Sequence, residues 1–430
     1  MRHEFLINII KLLFFLIPIG LITGPFIPDL SISLMAIIFI YISIKEKYWK
    51  YYNNNYFKFF IIFNVYLITI SLFSDNLFIS LKSSLFYFRF IIFALCVWFL
   101  FDVTNFNFKK KYSIFLLFLL IILSLDSLIQ YSLGYNIIGI SSFEDNRMSS
   151  FFMDRLVLGS FLVRLLFLSI TLYLITHLKF NKYNLIYYFS IIIICAGILV
   201  SGERTSFGLL IMSCLIFLVI FRFNFKFSLS ILLSGILILI IAVFDKNIRY
   251  RIFIEPLHQS NLISQEILKN YEDVKEGYVH EDSKPLLFSK EHSAHYLTAY
   301  KIFLDNMSIG VGPKMFRQKC SDIKYKSGTD SCTTHPHNLL LQVLSETGLI
   351  GLFFYLVMFF YVCFNILKKI LKFNHSNKND YMLAGCLICM LANLFPLIPS
   401  GNLFNNWLSI IFYLPFGVYL YYNELKYKNE

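Results

Sequence analysis

The sequence predicts an all-α integral membrane protein of about twelve transmembrane helices, with one large periplasmic loop between the ninth and the tenth. Three observations predict it. The chain is 57% hydrophobic and only 15% charged, with a mean hydropathy of +0.66, which leaves too little polar surface for a water-soluble domain. Apolar runs recur along its 430 residues, at close to the roughly 20 residues that a helix needs to cross a bilayer. The net charge of +12 is spread over alternate connections between those runs, a topological pattern and not a nucleic-acid patch.

Taken in order, spans are expected at 5–22, 30–44, 58–73, 84–101, 112–133, 156–178, 185–201, 205–221, 227–244, 338–366, 381–398 and 404–422. The first lacks a small-x-small cleavage site and eleven more follow it, so it reads as a retained helix and not a signal peptide. Lys45, Lys47, Lys50 and Lys58 sit in the second connection, and Lys109, Lys110 and Lys111 in the fourth. Lys179 and Lys182 follow in the sixth, Arg222 and Lys226 in the eighth, and Lys368, Lys369, Lys372 and Lys378 in the tenth. Lys426 and Lys428 close the chain, whereas the short connections of the opposite side hold only Lys82, Arg147, Arg155 and Arg204. Basic loops stay in the cytoplasm, which puts both termini inside. Three regions result: helices 1–9 over residues 1–244, a loop or cap over 245–337 outside, and helices 10–12 over 338–430.

Ionisable groups within spans cost a few kcal/mol, roughly, and are candidates for function. Arg89, Asp126 and Arg164 qualify. They read either as a buried ion pair of Asp126 with Arg89 or Arg164, or as part of a site. Arg204 opens a span in SGERTSF and forms, with Arg147 and Arg155, an outward-facing basic set. Guanidinium forks suit bidentate contacts to phosphate.

The loop ends in HPHN, residues 335–338, directly before an apolar helix. Histidine takes and returns protons near neutrality. Pro336 biases His335 toward extended geometry, and Asn338 or Thr334 would cap the helix. A helix N-terminus favours a nearby anion and the neutral imidazole that a base requires. The bland alternative is a pair of interfacial histidines. Gly348 and Gly351 would let another helix or a lipid approach closely. Upstream, Cys320 and Cys332 are spaced for a disulfide worth about 3 kcal/mol in an oxidising compartment; the other six cysteines lie in apolar spans, so Cys386-x-x-Cys389 is not read as a redox pair. No metal site is expected. His292, His295, His335 and His337 lack tight zinc-ligand spacing, and the acids of YEDVKE and HEDSK read as solvated charges.

These motifs resemble the O-antigen ligase and polymerase superfamily, the polytopic glycosyltransferases of bacterial surface polysaccharide assembly. The family motif is His, then Asn, Ser or Gln, nine residues, Gly, two residues and a small residue. His337, Asn338, Gly348 and Gly351 match it in full. FLDNMSIGVGPKMF (303–316) resembles the segment that precedes the histidine, RMSSFFMDRLVLGSF (147–161) resembles another, and Arg204 corresponds to an arginine at the outer start of a span. The likeness covers most of residues 145–360. One departure is notable: ligases of the family carry a second arginine in the large loop, where this chain reads EHSAHYLTAYKIF with His295, leaving Arg317 or Lys314 to supply the charge. The resemblance implies transfer of a glycan from undecaprenyl pyrophosphate to an acceptor hydroxyl, without metal or other cofactor, at the periplasmic face of a bacterial inner membrane. His337 and Arg204 would be catalytic, with Arg147, Arg155, Arg317, Lys314, His335, His295 and Asn338 binding substrate. The acceptor is lipid A–core for a ligase and another lipid-linked glycan for a polymerase; the missing loop arginine favours the polymerase. A flippase of lipid-linked oligosaccharides is the alternative, and it predicts charges along a path to both faces.

Overall fold

A computed structural model of the chain describes residues 2–142, 147–177, 185–222, 225–260 and 288–429, with isolated positions between 262 and 271. Lys179, Lys182 and the acids of YEDVKE and HEDSK lie outside the described residues. Among those described the regular structure is helical, with no β-strand. Each of the twelve apolar runs contains a helix: α1 Arg2–Thr23, α2 Phe26–Lys45, α3 Asn55–Ser71, α4 Leu77–Ser84 continued by α5 Arg89–Val103, α6 Phe106–Leu133, α7 Leu158–His177, α8 Leu185–Val200, α9 Arg204–Ile220 and α10 Phe225–Phe244. Then come short α11 Lys246–Arg249 and α12 Glu255–Gln259, α13 Lys290–Asp305, α14 Phe316–Lys319, and finally α15 Leu339–Leu371, α16 Lys378–Leu394 and α17 Asn406–Asn429.

Six of these helical stretches are long and apolar enough to cross a membrane, or seven if the pair Ser228–Phe244 and Lys246–Gln259, bent by 106°, is one span. Asn55–Ser71, Tyr187–Val200 and Arg204–Ile220 are apolar but shorter. Starts are set locally by asparagine and aspartate. Asn54, Asn76, Asp245 and Asn338 each accept a backbone N–H of the first turn with the side chain, which satisfies a donor that the helix itself leaves unpaired.

The chain divides into two compact units, residues 1–113 with 294–430, and residues 114–293. In the first, α5 is the centre: every residue from Phe90 to Phe101 is buried, and α2 and α17 pack against it. A helix apolar on all sides belongs in such a position. By contrast, only 22% of the apolar window of α15 is buried; Phe353, Phe360 and Phe364 project outward, as lipid-facing side chains do. One buried charge pair in this unit joins Lys369 to Asp380, with Nζ 2.5 Å from Oδ1. In the second unit α7, α8, α9 and α10 pack together, and α7 is buried along most of its length.

Candidate functional site

The histidine segment is held by its backbone. Asn338 caps α15 through its Oδ1, which accepts the Leu341 N–H at 3.0 Å, while its Nδ2 donates to the Pro396 carbonyl at 2.9 Å. The His337 carbonyl accepts the Ser400 N–H at 2.8 Å and the Tyr296 hydroxyl at 3.4 Å. So pinned, His337 adopts φ +55°, a left-handed conformation that is uncommon outside glycine but enriched in histidine. Its ring lies 4.1 Å from that of His335 and 5.5 Å from that of His295, centroid to centroid. Thr334 bonds His335 Nδ1 at 2.9 Å, and Thr333 lies 3.5 Å from His337 Nε2. Cys320 and Cys332 are joined by a disulfide. Cys320 is buried with Ala299, Ile302, Val311, Met315 and Phe316, so the bond ties the stretch before His335 to a small apolar core. Among the described residues, no three His, Cys, Asp or Glu side chains are grouped as a metal ion requires.

Ten residues beyond Asn338, α15 breaks. Gly348 has φ +62° and ψ −165°, which interrupts the helical ladder and releases backbone groups that must find other partners. Residues 307–312 supply them. The Val311 and Gly312 N–H groups donate to the Ser345 and Glu346 carbonyls at 3.0 and 2.9 Å; the Leu349 and Ile350 N–H groups donate to Met307 and Ser308 at 2.8 and 3.4 Å. Tyr66 donates its hydroxyl to the Thr347 carbonyl at 2.6 Å. The approach is so close that a Cβ on Gly310 would collide with the Glu346 carbonyl carbon, and one on Gly348 with the Ser308 oxygen. The break thus accounts for Gly310 and Gly348 together.

Beneath it lies Glu346, fully buried. Its carboxyl accepts the Phe316 N–H at 3.0 Å and the Gln342 amide at 2.9 Å. Gln342 in turn donates to Asn402 and accepts the Leu403 N–H, both at 2.9 Å. Glu346 therefore fixes the turn that carries Lys314 and Arg317.

In the second unit the arginines are tied in. Arg204 donates through Nε to the Arg251 carbonyl at 2.9 Å and pairs through Nη2 with Glu255. Arg251 returns a bond to the Gly202 carbonyl at 3.0 Å. Glu203, also buried, accepts the Gly159 and Ser160 N–H groups at the start of α7, at 2.7 and 3.1 Å, and the Ser206 hydroxyl at 2.8 Å. Burial pushes its carboxyl upward; Ser206, Ser160 and the Arg147 charge hold it down. Arg155 lies over the Phe152 ring at 5.8 Å.

Residues 189–356 match the family model described as O-antigen ligase. That stretch is an O-antigen ligase domain. It runs from within α8 through Arg204, the 307–312 segment and the HPHN motif to just past the break at Gly348. No curated protein matches the chain.

Within and around the O-antigen ligase domain, several expectations need correction. Asp126 pairs with neither arginine. It accepts the Ile137 N–H at 2.9 Å and the Ser150 hydroxyl at 2.6 Å, organising a tight loop. Arg89 pairs with Asp29 at 2.6 Å and bonds Asn406 at 3.0 Å; it opens α5 after the turn at residues 85–88, within the apolar stretch Leu77–Val103. Arg164 donates to the Ser160 carbonyl at 3.3 Å. Gly348 admits the backbone of residues 308 and 309, not a lipid or a second helix. Sequence reasoning missed Glu346, although an acid within an apolar span is the same signal that singled out Asp126. It also missed Gln342 and Asn402, for which single polar residues offer no comparable signal.

Proposed function

We propose that the chain is an inverting, metal-independent glycosyltransferase that moves a glycan from undecaprenyl pyrophosphate to an acceptor hydroxyl at the periplasmic face of a bacterial inner membrane. The observation that carries this reading is the HPHN turn within the O-antigen ligase domain. There the Ser400 N–H holds the His337 carbonyl and Asn338 caps the helix that follows, so the segment is fixed in place.

In this mechanism His337 takes the proton from the acceptor hydroxyl as that oxygen attacks the anomeric carbon. General-base catalysis of this kind contributes about 10²–10⁴-fold. His335 and His295 border the base and orient the acceptor. The bond from the anomeric carbon to the pyrophosphate breaks, and Arg204 and Arg147 balance the charge that develops on the leaving oxygen. The undecaprenyl tail would lie in lipid against aromatic spans, and the 245–337 loop would position the glycan. Because His295 stands where ligases of the family carry an arginine, the reading leans toward a polymerase.

The test is a deletion strain complemented with wild-type or His337→Ala protein, its lipopolysaccharide separated on a gel. A polymerase leaves core plus a single repeat when lost, and a ligase leaves bare core with glycan still on its carrier. Full restoration by an inserted His337→Ala protein would end the assignment.

A further inference from the structure

A second group of cations stands in the first unit, built by the turn that Glu346 holds. Gly312 is pressed against the start of α4: a Cβ there would lie 2.7 Å from the Ser74 Cβ and 3.0 Å from the Ser80 hydroxyl. Lys319 pairs with Asp75, which fastens the other end of the turn to the same place. This seats Lys314 and Arg317 against the helix that bears Lys82 and leads into Arg89.

Arg89 is matched by Asp29, yet its Nε is buried without a hydrogen bond among the described residues. Among the described residues Lys82, Lys314 and Arg317 make no ion pair at all. Three of these four cations act on the fourth: burial, then the charges of Arg317, Arg89 and Lys82, hold the Lys314 ammonium below the ordinary lysine range. Of the charges acting on Lys314, the one carboxyl is Glu346, already committed to Phe316 and Gln342. Mutually repelling cations at the end of an apolar helix are costly without a counter-charge. Two guanidinium groups beside two ammonium groups are a donor set for a phosphate group, which has several acceptor oxygens.

We propose that Lys82, Arg89, Lys314 and Arg317, all in the first unit, form a binding site for a phosphate or diphosphate carried on a lipid, and that it holds the acceptor of the transfer reaction. The acceptor assignment rests on the glycosyltransferase reading; the anion site does not. An acceptor bound in this way is itself lipid-linked, so the product is a longer lipid-linked glycan.

The test uses the full chain in nanodiscs of zwitterionic lipid and a labelled short-chain polyprenyl diphosphate. Wild-type protein is expected to show two classes of site. Lys314→Ala/Arg317→Ala should weaken one of them by about tenfold or more, Lys82→Ala should weaken it less, and Lys314→Arg/Arg317→Lys should retain both, which reports that the turn still folds. Binding by Lys314→Ala/Arg317→Ala equal to wild type overturns the site. Displacement from the same site by phosphatidylglycerol at equal concentration makes it a bilayer headgroup site and overturns the acceptor assignment. Glycan transfer by the wild type separates the two readings. Two sites without transfer leave the anion site standing and sink the reaction, whereas transfer with normal binding by the double variant does the reverse.

Discussion

The Glu346 carboxyl receives the Phe316 N–H at 3.0 Å, across thirty residues of sequence, where no solvent reaches. Removing it strands a buried backbone donor and the Gln342 amide. An unsatisfied buried group costs about 1–3 kcal/mol, so Glu346→Ala is expected to lower the unfolding temperature of the detergent-solubilised protein clearly, and Glu346→Gln to lower it less. An unchanged unfolding temperature for Glu346→Ala would show that the turn stands without this contact.

Glycines at and away from the break should respond oppositely. At Gly348 a side chain meets both a positive φ and the Ser308 carbonyl, and backbone has no room to give. Gly348→Ala should destabilise by more than about 1 kcal/mol. Gly235 lies within α10, and a Cβ added to it would meet nothing within 4 Å. Gly235→Ala should therefore be neutral or stabilising by about 1 kcal/mol at most. Paired thermal melts decide the contrast.

Lys314 gives a pH-linked expectation. Its folded-state value lies below that of a free lysine, since burial and neighbouring cations disfavour the charged form. Folding therefore pays for that charge below the folded value, and the penalty vanishes as pH rises past the ordinary lysine value. At neutral pH Lys314→Met should raise the stability of the unliganded protein. Its advantage over wild type should shrink at pH above about 10, and adding a lipid diphosphate should stabilise wild type more than the variant. A less stable Lys314→Met protein contradicts this.

Glu255 competes with any anion for Arg204. The pair is partly exposed, with side chains 30% and 24% accessible, so its loss should alter stability by no more than about 1 kcal/mol. Glu255→Gln should instead lower KM for the lipid-linked donor several-fold, while Arg204→Ala raises it. Steady-state kinetics with varied donor would expose an equal KM for all three proteins, the outcome that removes Arg204 from donor binding.

What can be read from sequence follows from range. Helical segments and the Asn338 cap depend on neighbours in the chain, and a helix stands in each of the twelve runs with that cap in place. The partners of charges depend on tertiary packing. Asp126 and Arg89 stand out in the sequence as charges within apolar runs, but the pairing of Asp126 with an arginine, one of the two readings open, does not form, because a loop fold and a neighbouring helix settle such pairs. Gly348 reads as a small packing residue in an apolar helix; that it breaks the helix is visible only beside residues 307–312, whose Gly310 and Gly312 carry the complementary half of the signal. Glu346 is legible by its charge and easily overlooked, hidden within the nine-residue gap of the motif around it.

The mechanism turns on His337 as the base. The most direct measurement is the initial rate of glycan transfer in proteoliposomes, with purified lipid-linked donor and acceptor, for wild type and for His337→Ala matched in insertion and unfolding temperature. A rate lower by about 10²-fold or more, with donor binding retained, is the predicted result. A His337→Ala rate within a few-fold of wild type would contradict it.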